Sequence, residues 1–286
     1  MASSTIKQSF GNRDGEIVHV SSVPRGLECN CVCPCCEAPL VAKKGEVRTA
    51  HFAHASGKDC KHGLQTSLHI AAKRVLEESR CILLPPAVVR VRNLHWEITP
   101  TIRVQLDEVR LEKRFHNIVP DVICTAKGRT LIVEIAVTHF VDEAKLSKIE
   151  TAGVSAVEID LSKCGRDLDF LTLRDLVIDS PDRKKWIFNS RFLDLEDRLS
   201  KCVEPMPVVE RGFAVHVDDC PIRMREWRGK FYANVMDDCS SCEYCADYDH
   251  DSLFCIARRG KSLVAMLNEL AMKAKGNADD HASSAV

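Results

Sequence analysis

The sequence predicts a mixed α/β (α+β) fold, and three observations carry that prediction. Between residues 65 and 161 the apolar pattern alternates helix, several short strands, helix, strand, the order that suits a sheet covered by helices. The stretch from Val119 to His139 reads as two strands around a tight turn, each strand carrying one acid in an otherwise apolar run. Two cysteine-histidine clusters, at 29–62 and 220–255, flank this core. The chain therefore divides into a zinc-ribbon-like module at 1–64, a core at 65–206, and a cysteine-rich zinc module with a final helix at 207–286.

Residues 1–24 are polar and aperiodic, apart from a candidate strand at 16–20. The first cluster follows. Cys33 and Cys36 form a C-x2-C pair, and a hairpin turning at Lys44-Gly45 returns His51 and His54 toward it, with Cys60 next. Zinc takes four tetrahedral S/N ligands, which a thiolate-bearing turn facing a second ligand pair provides. The expected set is Cys33, Cys36, His54 and Cys60, with His51 and Cys35 in reserve; Cys29 and Cys31 receive no role.

Residues 65–80 have a helical apolar face (Leu68, Ala71, Ala72, Val75, Leu76), with Thr66 or Ser67 as N-cap. His69, Lys73 and Glu77 fall on one stripe of that helix. After Pro85-Pro86 come strand-like runs at 88–91, 97–106 and 108–115.

The central hairpin carries the sharpest signal. A two-residue loop at Lys127-Gly128 suits a primed turn and sets Asp121 opposite Glu134 on one face. Two carboxylates at that spacing repel unless a proton or a cation lies between them, so the pair points to a divalent metal. Residues 142–151 read as a helix and 155–161 as a strand. Residues 168–178 and 186–199 read as helices, with a short basic cluster at Arg183-Lys184-Lys185.

In the second cluster the expected ligands are Cys220, Cys239, Cys242 and Cys255, with Cys245 as the alternative to Cys239; strands flank a turn at Arg228-Gly229. Residues 261–275 form an amphipathic helical pattern.

Composition bounds the function. The chain has 286 residues, 45% of them hydrophobic, and a net charge of −1, so global charge argues nothing about nucleic acid. Residues 1–105 hold 14 Lys+Arg against 9 Asp+Glu, a local excess that suits an anionic partner. Fifteen cysteines, with neither a signal peptide nor a membrane-length apolar run, point to a cytoplasmic zinc protein rather than a disulfide scaffold.

The cysteine pair Cys33/Cys36, the HFAH run at 51–54, Cys60, Ser67/His69/Lys73, Pro120-Asp121 and Glu134-Ile135 occur in an order that resembles the competence protein CoiA-like family, a branch of the PD-(D/E)xK nuclease superfamily. That resemblance covers roughly residues 27–161. It implies a restriction-endonuclease-like core in which Asp121 and Glu134, with the Ile135 carbonyl, bind Mg²⁺ or Mn²⁺ for DNA cleavage. The lysine such enzymes place two residues after the glutamate is here Ala136. Lys73 or Lys145 is expected to replace it, with His69 as phosphate contact or proton carrier. Structural zinc at two sites, DNA gripped through Lys43, Lys44 and Arg48, and a protein partner in a competence or defence system complete the expectation. Its rivals are a catalytically degenerate DNA-binding protein and an interaction module.

Overall fold

The computed structural model describes residues 8–45, 49–57, 60, 62–165, 168–258 and 265. The chain divides into two compact units, 1–86 with 100–189, and 87–99 with 190–286. The divisions thus fall at 86, 99 and 189, where the sequence reading placed them after 64 and 206. Each unit is described separately.

The first unit opens with the hairpin β1 (Phe10–Arg13) and β2 (Glu16–His19), then the hairpin β3 (Leu40–Lys43) and β4 (His51–His54). Phe10 and Phe52 are buried here, and Cys29, Cys31 and Cys33 pack with Leu40 and Phe52 in a small core. The helix α1 spans Gly63–Ser79, two residues earlier than expected. His62 is its N-cap and makes no side-chain cap bond, while Ser67, an expected cap, lies within the helix and donates to the Leu64 carbonyl. Gly63 is fixed by space: a Cβ there would lie 2.8 Å from Gln8 Oε1 and 3.3 Å from Cys33 Sγ.

Strand β5 (Cys81–Leu84) leads out of α1. The hairpin of β6 (Ala87–Val91) and β7 (Leu94–Thr99) belongs to the second unit. Strand β8 (Ile102–Gln105) returns to pair with β5. The single strand expected over 97–106 is therefore two. Pro100, which has no amide hydrogen to donate to a ladder, separates them.

The centre of the first unit is a five-stranded mixed sheet. Strands β9 (Glu108–Leu111), β10 (Val122–Ala126) and β11 (Arg129–Ala136) run antiparallel. Helix α2 (Glu143–Ala152) crosses to β12 (Ala156–Asp160), which lies parallel to β11. The β10–β11 turn is the expected one: Lys127 and Gly128 both have positive φ, 49° and 73°, as a primed two-residue loop requires. Val122 pairs with Val133 and Ala126 with Arg129, the register read from the sequence. Val133, Ile135, Val157 and Ile159 share one large core with Leu68, Ala72 and Leu76 of α1. Ile132 and Ala156 pack with Ile149 of α2 in a second.

Two expected helices change form. Residues 168–178 give a short helix α3 (Phe170–Arg174), capped by Asp169, followed by a wide π turn at Asp175–Asp179. Residues 186–199 begin with a strand: β13 (Lys184–Phe188) adds antiparallel to β12, and only then does α4 (Ser190–Ser200) start. Burying Phe188 against Ala156 and Ile149 favours strand over helix there.

In the second unit, β14 (Glu204–Arg211), β15 (Ala214–Asp218), β16 (Arg225–Trp227), β17 (Lys230–Asn234), β18 (Cys245–Tyr248) and β19 (Ser252–Cys255) form a sheet in the order β16-β17-β15-β14-β19-β18. Arg228 and Gly229 again have positive φ at the tight β16–β17 turn. The helix expected at 261–275 lies outside the described residues, apart from residue 265. Among the described residues no helix is long and apolar enough to cross a membrane.

Leu76 is fully buried between α1 and the sheet. Leu76→Ala is expected to cost about 2–5 kcal/mol in chemical denaturation, with little change in the slope against denaturant.

Candidate active site

Strand β11 is buried on both faces, so its one acid is out of water: the Glu134 side chain is 3% exposed. Its register partner on β12 is Glu158, the side chain of which is 1% exposed. Across the turn, Asp121 precedes β10 and lies opposite Glu134 by continuation of the hairpin register. These three carboxylates line a pocket of about 310 Å³ with Gln65, Thr66, His69, His139, Asp142 and Lys145.

Each carboxylate is differently held. Asp121 Oδ2 accepts from the Ile135 amide at 2.8 Å and lies 2.9 Å from His69 Nε2. Burial alone pushes its carboxyl up, but the bond to His69, the His69 charge, the Ile135 amide and Lys145 together hold it below the usual carboxylate range. Glu134 Oε2 accepts from Lys145 Nζ at 2.7 Å. Glu134 Oε1 is buried with no hydrogen-bond donor. Burial first, and then the Asp121 charge, push Glu134 up to about 7, against the opposing pull of Lys145. Glu158 Oε1 accepts from the Val141 amide at 2.6 Å, and Oε2 pairs with Lys185 Nζ at 2.8 Å.

The local sequence explains how Lys145 arrives. Asp142 caps α2, its Oδ1 accepting from the Lys145 amide at 2.7 Å. That cap starts the helix where its first turn faces the end of β11, and the Lys145 chain reaches back to Glu134. Lys73 points elsewhere: its ammonium is buried and pairs with Glu112, and it does not line the pocket. Ala136 is 2% exposed and brings no polar group. The structure thus brings Asp121, Glu134, His69 and Lys145 together and leaves Lys73 outside.

Glu158 was absent from the residues read from the sequence, although a signal existed. Val133-Glu134-Ile135 recurs as Val157-Glu158-Ile159, and the two tripeptides pair residue for residue.

The first cysteine cluster converges. The ligand atoms of Cys33, Cys36, His54 and Cys60 all lie within 4.8 Å of one another, and Cys36 Sγ is 3.3 Å from His54 Nε2. Three sulfurs and one imidazole are a soft donor set suited to zinc, and this set can hold that ion. Burial pushes the Cys33 thiol up to about 11 in the metal-free chain, so binding would displace its proton. His51 is not in the group and its Nδ1 lies 2.9 Å from the Thr49 carbonyl. Lys44, expected to grip DNA, donates instead to the Ser21 and Val23 carbonyls and ties loops of its own module. Lys43 is exposed, and Arg48 lies outside the described residues.

The second cluster does not converge in this way. Cys220, Cys239, Cys242, Cys245 and Cys255 line one small cavity of about 20 Å³. Among the described residues, however, only the first cluster brings its ligand atoms within 4.8 Å of one another. The expected set of Cys220, Cys239, Cys242 and Cys255 is thus gathered but not closed. Cys239 and Cys242 sit at either end of a 3-10 turn, while Cys255 lies on a sheet strand opposite Cys245. Burial raises the Cys239 thiol to about 12 and Cys255 to about 11.

Residues 25–63, which include all four ligands of the first cluster, match the family described as Competence protein CoiA, N-terminal domain. Over these residues the chain is similar to the CoiA N-terminal domain. No curated protein and no solved structure matches the chain. The match to the CoiA N-terminal domain ends at Gly63, the first residue of α1, and so stops six residues before His69.

Two outcomes follow. Cys60→Ser is expected to lower the zinc content of the purified chain by one equivalent in elemental analysis; an unchanged content would remove zinc from this cluster. The second concerns pH. Folded, and without Mg²⁺ or Mn²⁺, Glu134 keeps its proton up to about 7, whereas its ordinary value is 4.5. Unfolding between those values releases that proton, so the fold loses stability as pH rises from 4.5 to about 7. Melting temperatures of the wild type should therefore fall relative to Glu134→Gln across this window, and the difference should level off above it.

Proposed function

We propose that the chain is a metal-dependent deoxyribonuclease of PD-(D/E)xK type. The observation that carries this is the facing pair Asp121 and Glu134, with a buried Glu134 oxygen that no donor satisfies. Three antiparallel strands, a crossing helix and a parallel strand in succession, with α1 packed on the same sheet, are also what a restriction-endonuclease-like core would need. CoiA membership suggests a competence-related role, which suits processing of incoming DNA.

The donor set fits a hard cation. Asp121 and Glu134 offer oxygens only, as Mg²⁺ and Mn²⁺ prefer, and Glu134 Oε1 has no hydrogen-bond donor that a cation would have to displace. Asp121, Glu134 and the Ile135 carbonyl would hold the ion. Such an ion supplies positive charge at the scissile phosphate and acidifies a bound water.

The chain's own residues do the rest. The Ile135 amide and His69 fix the Asp121 carboxylate in one orientation. Lys145 donates to Glu134 Oε2 at rest, and with a cation in place its ammonium is free to face a phosphate oxygen. It thereby takes the part that Ala136 leaves unfilled. His69, a lining residue, can pass a proton to or from a water bound in the pocket. His139, on the same lining, stands at the mouth.

The rival reading, a DNA-binding protein on a degenerate core, is favoured by Ala136 alone. Cleavage of plasmid DNA with Mg²⁺ or Mn²⁺ separates them. Asp121→Asn and Glu134→Gln should abolish cutting, and Lys145→Met should reduce it on the order of 10²–10³-fold, while DNA binding persists. Cleavage indifferent to all three would place the chemistry elsewhere; binding with no cutting by the wild type would favour the rival.

A further inference from the structure

The basic cluster at 183–185 is split by the sheet. Lys184 turns inward, and its ammonium donates to the Ile178 and Ser180 carbonyls at 3.3 and 2.8 Å. Lys185 turns to the other face, where it is the register partner of Glu158. Asp121, Glu134, Glu158 and Lys185 then form one row across four neighbouring segments of the sheet, three acids ending in a cation.

The pairing at the end of this row is asymmetric. The Glu158 side chain is 1% exposed, that of Lys185 61%. Glu158 needs a cation because a buried lone carboxylate is costly, but Lys185 is not used up by supplying it. An ammonium has three donors, and its 2.8 Å ion pair with Glu158 Oε2 lacks hydrogen-bond geometry, so these donors remain open to water or a ligand. Its nitrogen also lies 5.1 Å over the ring of Phe140, a pocket-lining residue. Lys185 is not itself a lining residue, but Glu158 and Phe140 are, and together they hold its ammonium beside the pocket.

We infer that Lys185 is a second phosphate-contacting cation of this site, with Glu158 as the residue that positions it. Glu158 also anchors the loop carrying Phe140 through the Val141 amide, so one buried carboxylate sets both the ammonium and its aromatic neighbour. Lys145 serves the acid pair at the back of the pocket, and Lys185 takes a phosphate at its edge. The inference rests on DNA being the ligand.

The test is the salt dependence of binding to a short duplex DNA, read by fluorescence anisotropy with the full zinc-loaded chain and Ca²⁺ in place of Mg²⁺. Lys185→Met should weaken binding and lower the slope of log affinity against log salt by about 0.9, the value of one phosphate contact. Lys185→Arg should keep the slope. The double variant Glu158→Gln/Lys185→Met removes both charges; if Lys185 only neutralised Glu158, this variant would bind as the wild type does. It should instead bind as weakly as Lys185→Met. A wild-type slope in Lys185→Met, or wild-type affinity in the double variant, overturns the inference while leaving the nuclease reading standing. A wild type that does not bind the duplex overturns both.

Discussion

Carboxylates buried in a sheet face are the constraint on which the rest of this structure depends. An ionised acid taken out of water costs several kcal/mol unless it is paired and hydrogen-bonded. Glu134 and Glu158 stand side by side on parallel strands with hardly any exposure, and Asp121 faces the first of them. Around them the fold supplies a matching set of donors: the Ile135 and Val141 amides, His69 from α1, Lys145 from the first turn of α2, and Lys185 from β13. Glu134 Oε1 and Glu158 Oε2 are left without a hydrogen bond, the second offset by the charge of Lys185. A protein that needed only a core would fill these positions with valine or isoleucine, as it does on either side of each glutamate.

The cysteine-histidine module bears on the same pocket through α1. Cys60 ends the ligand set, its carbonyl accepts from the Gly63 amide at 3.2 Å, and Gly63 starts the helix that carries His69. Gly63 has no room for a side chain because Cys33 and Gln8 press against it. Closing the cluster on a metal would therefore fix the N-terminus of α1, and with it the imidazole that holds Asp121. The zinc set and the acid pair are chemically separate, soft donors in one and oxygens in the other, yet they are mechanically joined by nine residues of chain.

Much of this was legible in the sequence because local rules dominated. The Lys-Gly turn set the hairpin register, and the register set Asp121 opposite Glu134. The C-x2-C spacing and the HFAH run marked three of the four residues whose ligand atoms converge, and Cys60 followed as the next cysteine. What escaped was decided by partners far away in the chain. The segment 184–188 became a strand because β12 offered it an edge and an apolar site for Phe188. Lys73 shares a helix stripe with His69 but meets Glu112 in the fold, and periodicity along one helix cannot reveal that. Glu158 needed the parallel pairing of β11 and β12 to become a neighbour of Glu134, and parallel register has no turn to announce it.

The most direct measurement of the central claim is a crystal soaked in Mn²⁺ and examined for anomalous scattering. The account predicts a peak within bonding distance of Asp121 and Glu134 oxygens, with the Lys145 ammonium moved off Glu134. A pocket without such a peak, with Lys145 still bonded to Glu134, would contradict it.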